Sequence, residues 1–368
     1  MHQRRIIEAV ARSGSISRSD LARATGMSQP TVSRIVDRLR ARHILAESLD
    51  GECHSEGGSG KATAALGRPS TRLQLDRTRP RFGVVQLGVR HTRLAVLPVA
   101  VPSEDRWQSE FATPSSADAW LRQLTKAWKT HRRKGLTTVV SLPGVVDERI
   151  GKVYLSPNVR WLEKVDLGRS LREILGAEVL FKQEIRLLAL GQMAAEPQSG
   201  DFLLVDSGSG VGAAAVIGGR LFSGSIPLSA EIGHDTVPGN PRPCGCGAIG
   251  CLETLVSRPG LLASAVEHRQ PHSWPALIEY LIDRPTPRWL KQSLDSTAVH
   301  IAAALNLLGL RQVILTGAFR ELPPACIDYL ASEVRQHAMW ARFGEISIRT
   351  APRRRQAGMV SVALVLLG

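Results

Sequence analysis

The chain has 368 residues and a formal net charge of +14, from 47 Lys/Arg against 33 Asp/Glu. That length supports two or three domains and a large buried core, in an ordinary globular composition. No apolar run approaches a membrane span, and the N-terminal MHQRRIIEAVARSG lacks the apolar stretch of a secretory signal, so a cytoplasmic protein without a membrane partner is expected.

The charge excess is uneven: residues 1–81 hold fifteen Lys/Arg against eight Asp/Glu. A local basic field suggests a polyanionic partner. Within that stretch Ile6, Ile7, Val10 and Ala11 repeat at helical spacing. Ser17 or Ser19 then caps a second short helix carrying Leu21 and Ala22, and Gly26 makes the turn. Ser28 caps a third helix, QPTVSRIVDRLRARH, with Pro30 in its first turn, where no amide donor is lost. Val32, Ile35, Val36 and Leu39 lie on one face of it, and Arg34, Arg38, Arg40 and Arg42 mostly on the other. This is the pattern of a helix-turn-helix whose third helix enters the major groove of double-stranded DNA. Gln29, Thr31, Ser33, Arg34 and Arg38 are the candidate contacts. Three small helices also serve as protein docking modules; the positive surplus and the Ser-x-x-Thr-Val-Ser pattern favour DNA.

Next, ILAES and TRLQLD read as the two strands of a wing by their alternation, with the Gly/Ser/Ala-rich stretch 48–69 expected as a long mobile wing bearing Lys61 and Arg68 for phosphates. The domains expected are 1–76 for the winged helix-turn-helix, 77–81 for a basic linker and 82–368 for the remainder. FGVVQLGVRHTRLAVLPVA reads as two strands turning at Gly88. A helix over 115–133 packs Trp120, Leu121, Leu124 and Trp128 inward, and TTVVSLPGVVD is a buried strand with a glycine turn. DFLLVDSGSGVGAAAVIGG repeats the strand, glycine turn, strand pattern. Residues 255–309 read as largely helical, RQVILTGAF as a strand and AGMVSVALVLLG as a closing helix. Arg353, Arg354 and Arg355 read as a solvated charge run.

The organising stretch is EIGHDTVPGNPRPCGCGAIGCLE, residues 231–253. Cys244, Cys246 and Cys251 form a Cys-x-Cys-x4-Cys array with His234 ten residues upstream. Three thiolates and an imidazole suit a tetrahedral structural Zn2+, and the intervening glycines let a short loop aim the sulfurs at one point. Five cysteines, three of them in this array, fit a reducing compartment and leave Cys53 and Cys326 as free thiols.

Glu-x-Gly-His followed by Cys-x-Cys-Gly-x2-Gly-Cys-x-Glu resembles the signature of the ROK family of repressors, open reading frames and sugar kinases. Weaker similarity runs from about residue 82 to the C-terminus, and Gly67-Arg68-Pro69 resembles the wing of the family's transcriptional repressor branch. The resemblance implies an α/β architecture: an N-terminal winged helix-turn-helix followed by a two-lobed, actin-like ATPase (sugar kinase) fold. It implies that Glu231, His234 and Glu253 face sugar hydroxyls, and that Asn158, in a loop carrying Pro157 and Trp161, contributes a further contact.

The resemblance also locates the kinase machinery. The family's Asp-x-Gly-x-Thr phosphate loop reads here with Gln86 in place of the Asp and Arg90 in place of the Thr. The Asn-Asp whose carboxylate is the catalytic base reads here Gln183-Glu184. Glu adds a methylene and displaces the carboxylate by about 1.5 Å, and misplacements of about 1 Å cost on the order of a hundredfold in rate. The expectation is therefore no catalytic residue, only a degenerate base position at Glu184 that belongs to the ligand pocket. The implied protein is a sugar- or sugar-phosphate-responsive repressor, a homodimer or homotetramer on a DNA operator. An ATP-dependent sugar kinase with an attached DNA-binding domain is the alternative.

Overall fold

A computed structural model describes residues 2–48, 71–101, 104–131, 136–176, 178–224 and 230–367. The expected wing, with Lys61, Gly67, Arg68 and Pro69, lies outside the described residues, as does Cys53.

The N-terminal unit comprises α1 (His2–Ser13), β1 (Ile16–Ser17), α2 (Arg18–Thr25), α3 (Gln29–Ala41), β2 (Leu45–Ser48) and β3 (Arg72–Leu75). Ser17 caps α2 by accepting from the Asp20 amide, and Gly26 ends it in the left-handed region at φ 65°. Ser28 occupies the cap position of α3, but its hydroxyl bonds the Thr31 hydroxyl at 2.9 Å rather than a backbone amide. The strands form one small antiparallel sheet in the order β1-β3-β2, which adds β1 to the two strands read from sequence. Beyond β3, the Asp76 carboxylate accepts from the Thr78 and Arg79 amides, and the Arg81 amide donates to the Leu97 carbonyl. The connecting segment is thus tied to the body that follows.

Lobe one contains β4 (Phe82–Leu87), β5 (His91–Leu97), β6 (Ser109–Ala112), α4 (Ala117–Lys129), β7 (Thr137–Leu142), the small hairpin of β8 (Val145–Asp147) and β9 (Lys152–Leu155), α5 (Leu167–Leu175), β10 (Val179–Gln183) and α6 (Glu184–Ala195). Trp120, Leu124 and Trp128 of α4 are buried. Lobe two contains β11 (Phe202–Ser207), β12 (Val211–Ile217), β13 (Arg220–Leu221), α7 (Glu253–Val256), α8 (Arg258–Glu267), α9 (Trp274–Leu281), α10 (Arg288–Leu308), β14 (Gln312–Gly317), α11 (Ala318–Glu321), α12 (Pro324–His337), β15 (Ser347–Thr350) and α13 (Arg355–Leu367).

The lobes repeat one topology. Their sheets run β6-β5-β4-β7-β10 and β13-β12-β11-β14-β15, each an antiparallel meander extended by two parallel strands. β4 and β11 hold equivalent places in the two sheets, so Phe82-Gly-Val-Val-Gln86-Leu-Gly88 corresponds to Phe202-Leu-Leu-Val-Asp206-Ser-Gly208, a short and diverged match in sequence. The helices after the fifth strands, α6 and α13, are exchanged. Leu188 and Ala189 of α6 pack with Phe202, Leu204 and Ala214 of lobe two, whereas Met359, Val360 and Ala363 of α13 share a core with Phe82 and Val84 of lobe one. The same core continues into the N-terminal unit through Ile6, Val10 and Leu39.

Candidate metal centre and ligand cleft

The loop from His234 to Cys251 is folded by local bonds. The Cys244 amide donates to the Ala248 carbonyl, Thr236 bridges Cys251, and Gly247 and Gly250 take φ of 102° and 85°. One ligand atom from each of His234, Cys244, Cys246 and Cys251 lies within 4.8 Å of the others. The Cys246–Cys251 sulfur separation is 3.7 Å, as is the distance from Cys244 Sγ to His234 Nδ1. Bonds of about 2.3 Å to sulfur and about 2.1 Å to nitrogen give tetrahedral edges of roughly 3.6–3.8 Å. The donor set therefore fits a tetrahedral metal with Nδ1 as the histidine ligand. Burial pushes the Cys244 and Cys251 thiols up, so a cation bound here would be what makes them thiolates.

The centre borders a cleft of about 450 Å³ between the lobes, within the usual range for small-molecule sites. Asn158, Glu184, Glu231, His234 and Glu253, drawn from four separate stretches of chain, all line it. Glu253 opens α7 two residues after Cys251; its Oε2 accepts from the Val211 amide at 3.3 Å and its Oε1 lies 3.0 Å from Cys244 Sγ. Glu231 Oε1 accepts from Gln183 Nε2 at 3.1 Å, and burial pushes its carboxyl above the ordinary range. The metal loop thereby holds two carboxylates on one wall of the cleft. Asn158 lies at the rim, exposed, opposite Gly210.

On the opposite wall Glu184 is already engaged. Its Oε1 accepts from Gln86 Nε2 at 2.9 Å and from Arg355 Nε at 2.6 Å. A carboxylate oxygen holding two donors, one of them a guanidinium, is poorly placed to take a proton from a bound hydroxyl. Arg90 stays at the mouth of the cleft, exposed to solvent.

The arginine run 353–355 is not the solvated face that its composition suggests. Arg353 forms a bidentate pair with Asp206, Nε at 2.6 Å and Nη2 at 2.8 Å, and also donates to the Ser207 carbonyl. Thr316 donates to the same carboxylate. Burial alone would raise the Asp206 carboxyl, but the Arg353 charge outweighs it and holds the group low. The guanidinium sits between two glycine turns: a methyl at Gly208 would lie 2.6 Å from Arg353 Nη2, and one at Gly317 2.4 Å. Both turns admit the arginine because they lack a side chain. Arg354 pairs with Glu196, and Arg355 is 9% exposed. Sequence reasoning missed Asp206, Arg353 and Arg355; the signal for Asp206 was its correspondence with Gln86 in the repeat.

In the N-terminal unit Val32, Ile35, Val36 and Leu39 are buried, while Gln29, Arg34 and Arg38 are exposed and Thr31 and Ser33 partly so. Arg40 instead pairs with Glu47 of β2 at 2.8 Å.

Together these features define a winged-helix protein carried on a two-lobed, actin-like sugar-kinase fold. The ROK family model matches residues 82–367 and the MarR family model residues 1–51; the chain belongs to the ROK family. It is 27% identical over 269 residues to a putative xylose repressor of Caldicellulosiruptor sp. (strain Rt8B.4), a match spanning 70% of this chain and 64% of that protein. It is 22% identical over 374 residues to the DNA-binding transcriptional repressor Mlc of Escherichia coli (strain K12), covering 96% and 89% of the two chains. Among solved structures, a ROK family transcriptional regulator described as a homolog of the E. coli MLC protein superposes with a TM-score of 0.74 at 18% identity, covering 98% of this chain and 95% of that one.

Proposed function

We propose that this protein is a cytoplasmic, sugar-responsive DNA-binding repressor of carbohydrate uptake or catabolism genes, and that it binds its ligand without turnover. The observation that carries the reading is the state of Glu184, whose carboxylate oxygen is held by Arg355 and Gln86 rather than presented to a substrate. A sugar or sugar phosphate occupies the cleft against Asn158, Glu184, Glu231, His234 and Glu253. A structural Zn2+ on His234, Cys244, Cys246 and Cys251 holds the loop that carries Glu231 and Glu253. Gln29, Thr31, Ser33, Arg34, Arg38 and Arg68 meet an operator, and a homodimer or homotetramer places two recognition helices on a palindrome. Ligand that prefers the released state lowers operator affinity by that preference alone. Relatives named as repressors and the MarR family match at residues 1–51 support the assignment.

The test is selection of bound duplexes from a random-sequence library with full-length protein. Measuring operator affinity with and without each of a panel of sugars and sugar phosphates follows. A selected consensus whose affinity falls with one panel member supports the reading; no enriched sequence refutes it. An attached kinase is the competing reading, and phosphorylation of a panel sugar by ATP would favour it.

A further inference from the structure

The residues that open the exchanged helices, Glu184 of α6 and Arg355 of α13, are bonded to each other on one wall of the cleft. The helices are also locked where they cross, at residues 187–191 and 354–358. A methyl on Gly191 would lie 1.9 Å from the Arg354 carbonyl oxygen, and one on Gly358 2.0 Å from that of Leu187. With backbones this close and no side chains between them, neither helix slides past the other without moving it. The start of α13 is further pinned to lobe one, where the Asp105 carboxylate accepts from the Arg355 and Gln356 amides at 3.2 and 2.9 Å. The flank of α13 packs against α1, inside the core shared by the N-terminal unit and lobe one.

We propose that Arg355 is a positioning residue that couples occupancy of the cleft at Glu184, through α13, to the winged-helix unit. The proposal rests on the reading of the cleft as the effector site. A ligand hydroxyl that donates to Glu184 competes with Arg355 for one carboxylate. Release of Glu184 by Arg355 removes one of the ties at the start of α13, and a shift of α6 is then passed to α13 and on to α1, because the glycine contacts leave the two helices no independent path. The pair is thus a latch, closed when Arg355 holds Glu184 and opened by ligand.

The experiment is hydrogen exchange on the full chain, comparing wild type with Arg355→Gln. The expected result is that amides of α1 and of the first half of α13 lose protection together, by about tenfold or more, while α10 and α12 keep theirs. Loss confined to residues 353–357, or no loss in α1, overturns the proposal. Should Arg355→Gln fail to fold, Asp105→Asn loosens the same end of α13 and must give the same pattern. A second arm uses a selected duplex and each of D-xylose, D-glucose and N-acetyl-D-glucosamine. For a sugar that shifts wild type, Arg355→Gln brings the ratio of operator affinities with and without sugar close to one, while the sugar still binds in calorimetry at least as tightly as to wild type, because its competitor for Glu184 is gone. A wild-type ratio in the variant overturns the latch. Failure of every sugar to shift wild type counts against the effector reading alone and leaves the exchange result to decide the latch.

Discussion

Arg355 Nε lies 2.6 Å from Glu184 Oε1, joining the first residues of two helices that begin 171 positions apart in the chain. The same oxygen accepts from Gln86, so the one carboxylate at the family's base position is held on two sides. Incubation of the natural protein with ATP, Mg2+ and common hexoses, amino sugars and pentoses is expected to give no phosphorylated product above background. The Gln86→Asp, Glu184→Asp double variant is expected to stay silent as well, because Arg355 remains beside the carboxylate. Clear turnover by either protein in a coupled assay contradicts the sensor reading.

Zinc analysis of the purified protein is expected to return about one ion per chain, and Cys246→Ser close to none, since a structural site needs all four ligands. Loss of the metal frees the loop bearing Glu231 and Glu253. The variant's melting temperature is expected to fall by at least about 5 °C, as free energy of metal binding is free energy of folding. A variant that keeps stoichiometric zinc contradicts the ligand set.

The close crossing of α6 and α13 predicts that Gly358→Ala and Gly191→Ala each destabilise, by about 1–3 kcal/mol, because a methyl would overlap a carbonyl oxygen that neither helix can move alone. Urea denaturation checks this. An unchanged midpoint for both variants would mean that the helices separate freely.

Arg34 and Arg38 project from the exposed side of α3. Arg34→Ala is expected to weaken a selected operator by about 1–3 kcal/mol and relax its consensus if Arg34 reads a base. Arg38→Ala is expected to weaken all duplexes alike and reduce the salt dependence by about one unit if Arg38 meets phosphate. Titration at several salt concentrations separates the two roles.

Burial pushes the Asp105 carboxyl above its ordinary range, against the opposing pull of the Gln356 amide and Arg355. An unfolded aspartate titrates near about 3.9, so between that value and the raised folded value the native state binds more protons than the unfolded state. This contribution to stability is complete below about 3.9 and is lost as pH rises through the folded value. Asp105→Asn is therefore expected to make the change in stability with pH less negative across that window. Denaturation midpoints measured from about pH 4 upward would show a profile parallel to wild type if Asp105 were unperturbed.

Much of this protein is legible from sequence because its signals are local. The metal array spans eighteen residues from His234 to Cys251, and its geometry follows from cysteine spacing and glycine turns. The helices of the N-terminal unit follow from caps and apolar periodicity, and Ser17 and Gly26 perform the capping and turning read from their identities. The strands flanking Gly88 and Gly208 follow from continuous apolar runs bounded by glycine. In each case the interactions that decide the structure lie within a few residues of one another, so composition and spacing suffice.

Tertiary structure alone decided the chemistry of the opposite wall. Three consecutive arginines before an apolar helix carry no local indication of their partners, and read by themselves as a solvated face. Their roles come from acids that the tertiary fold brings close: Asp206, near the end of β11, lies 147 positions from Arg353, and Glu184, at the start of α6, 171 from Arg355. Desolvation makes an arginine costly to bury unless a carboxylate meets it, and which carboxylate does so is set by how two sheets pack, not by any spacing along the chain.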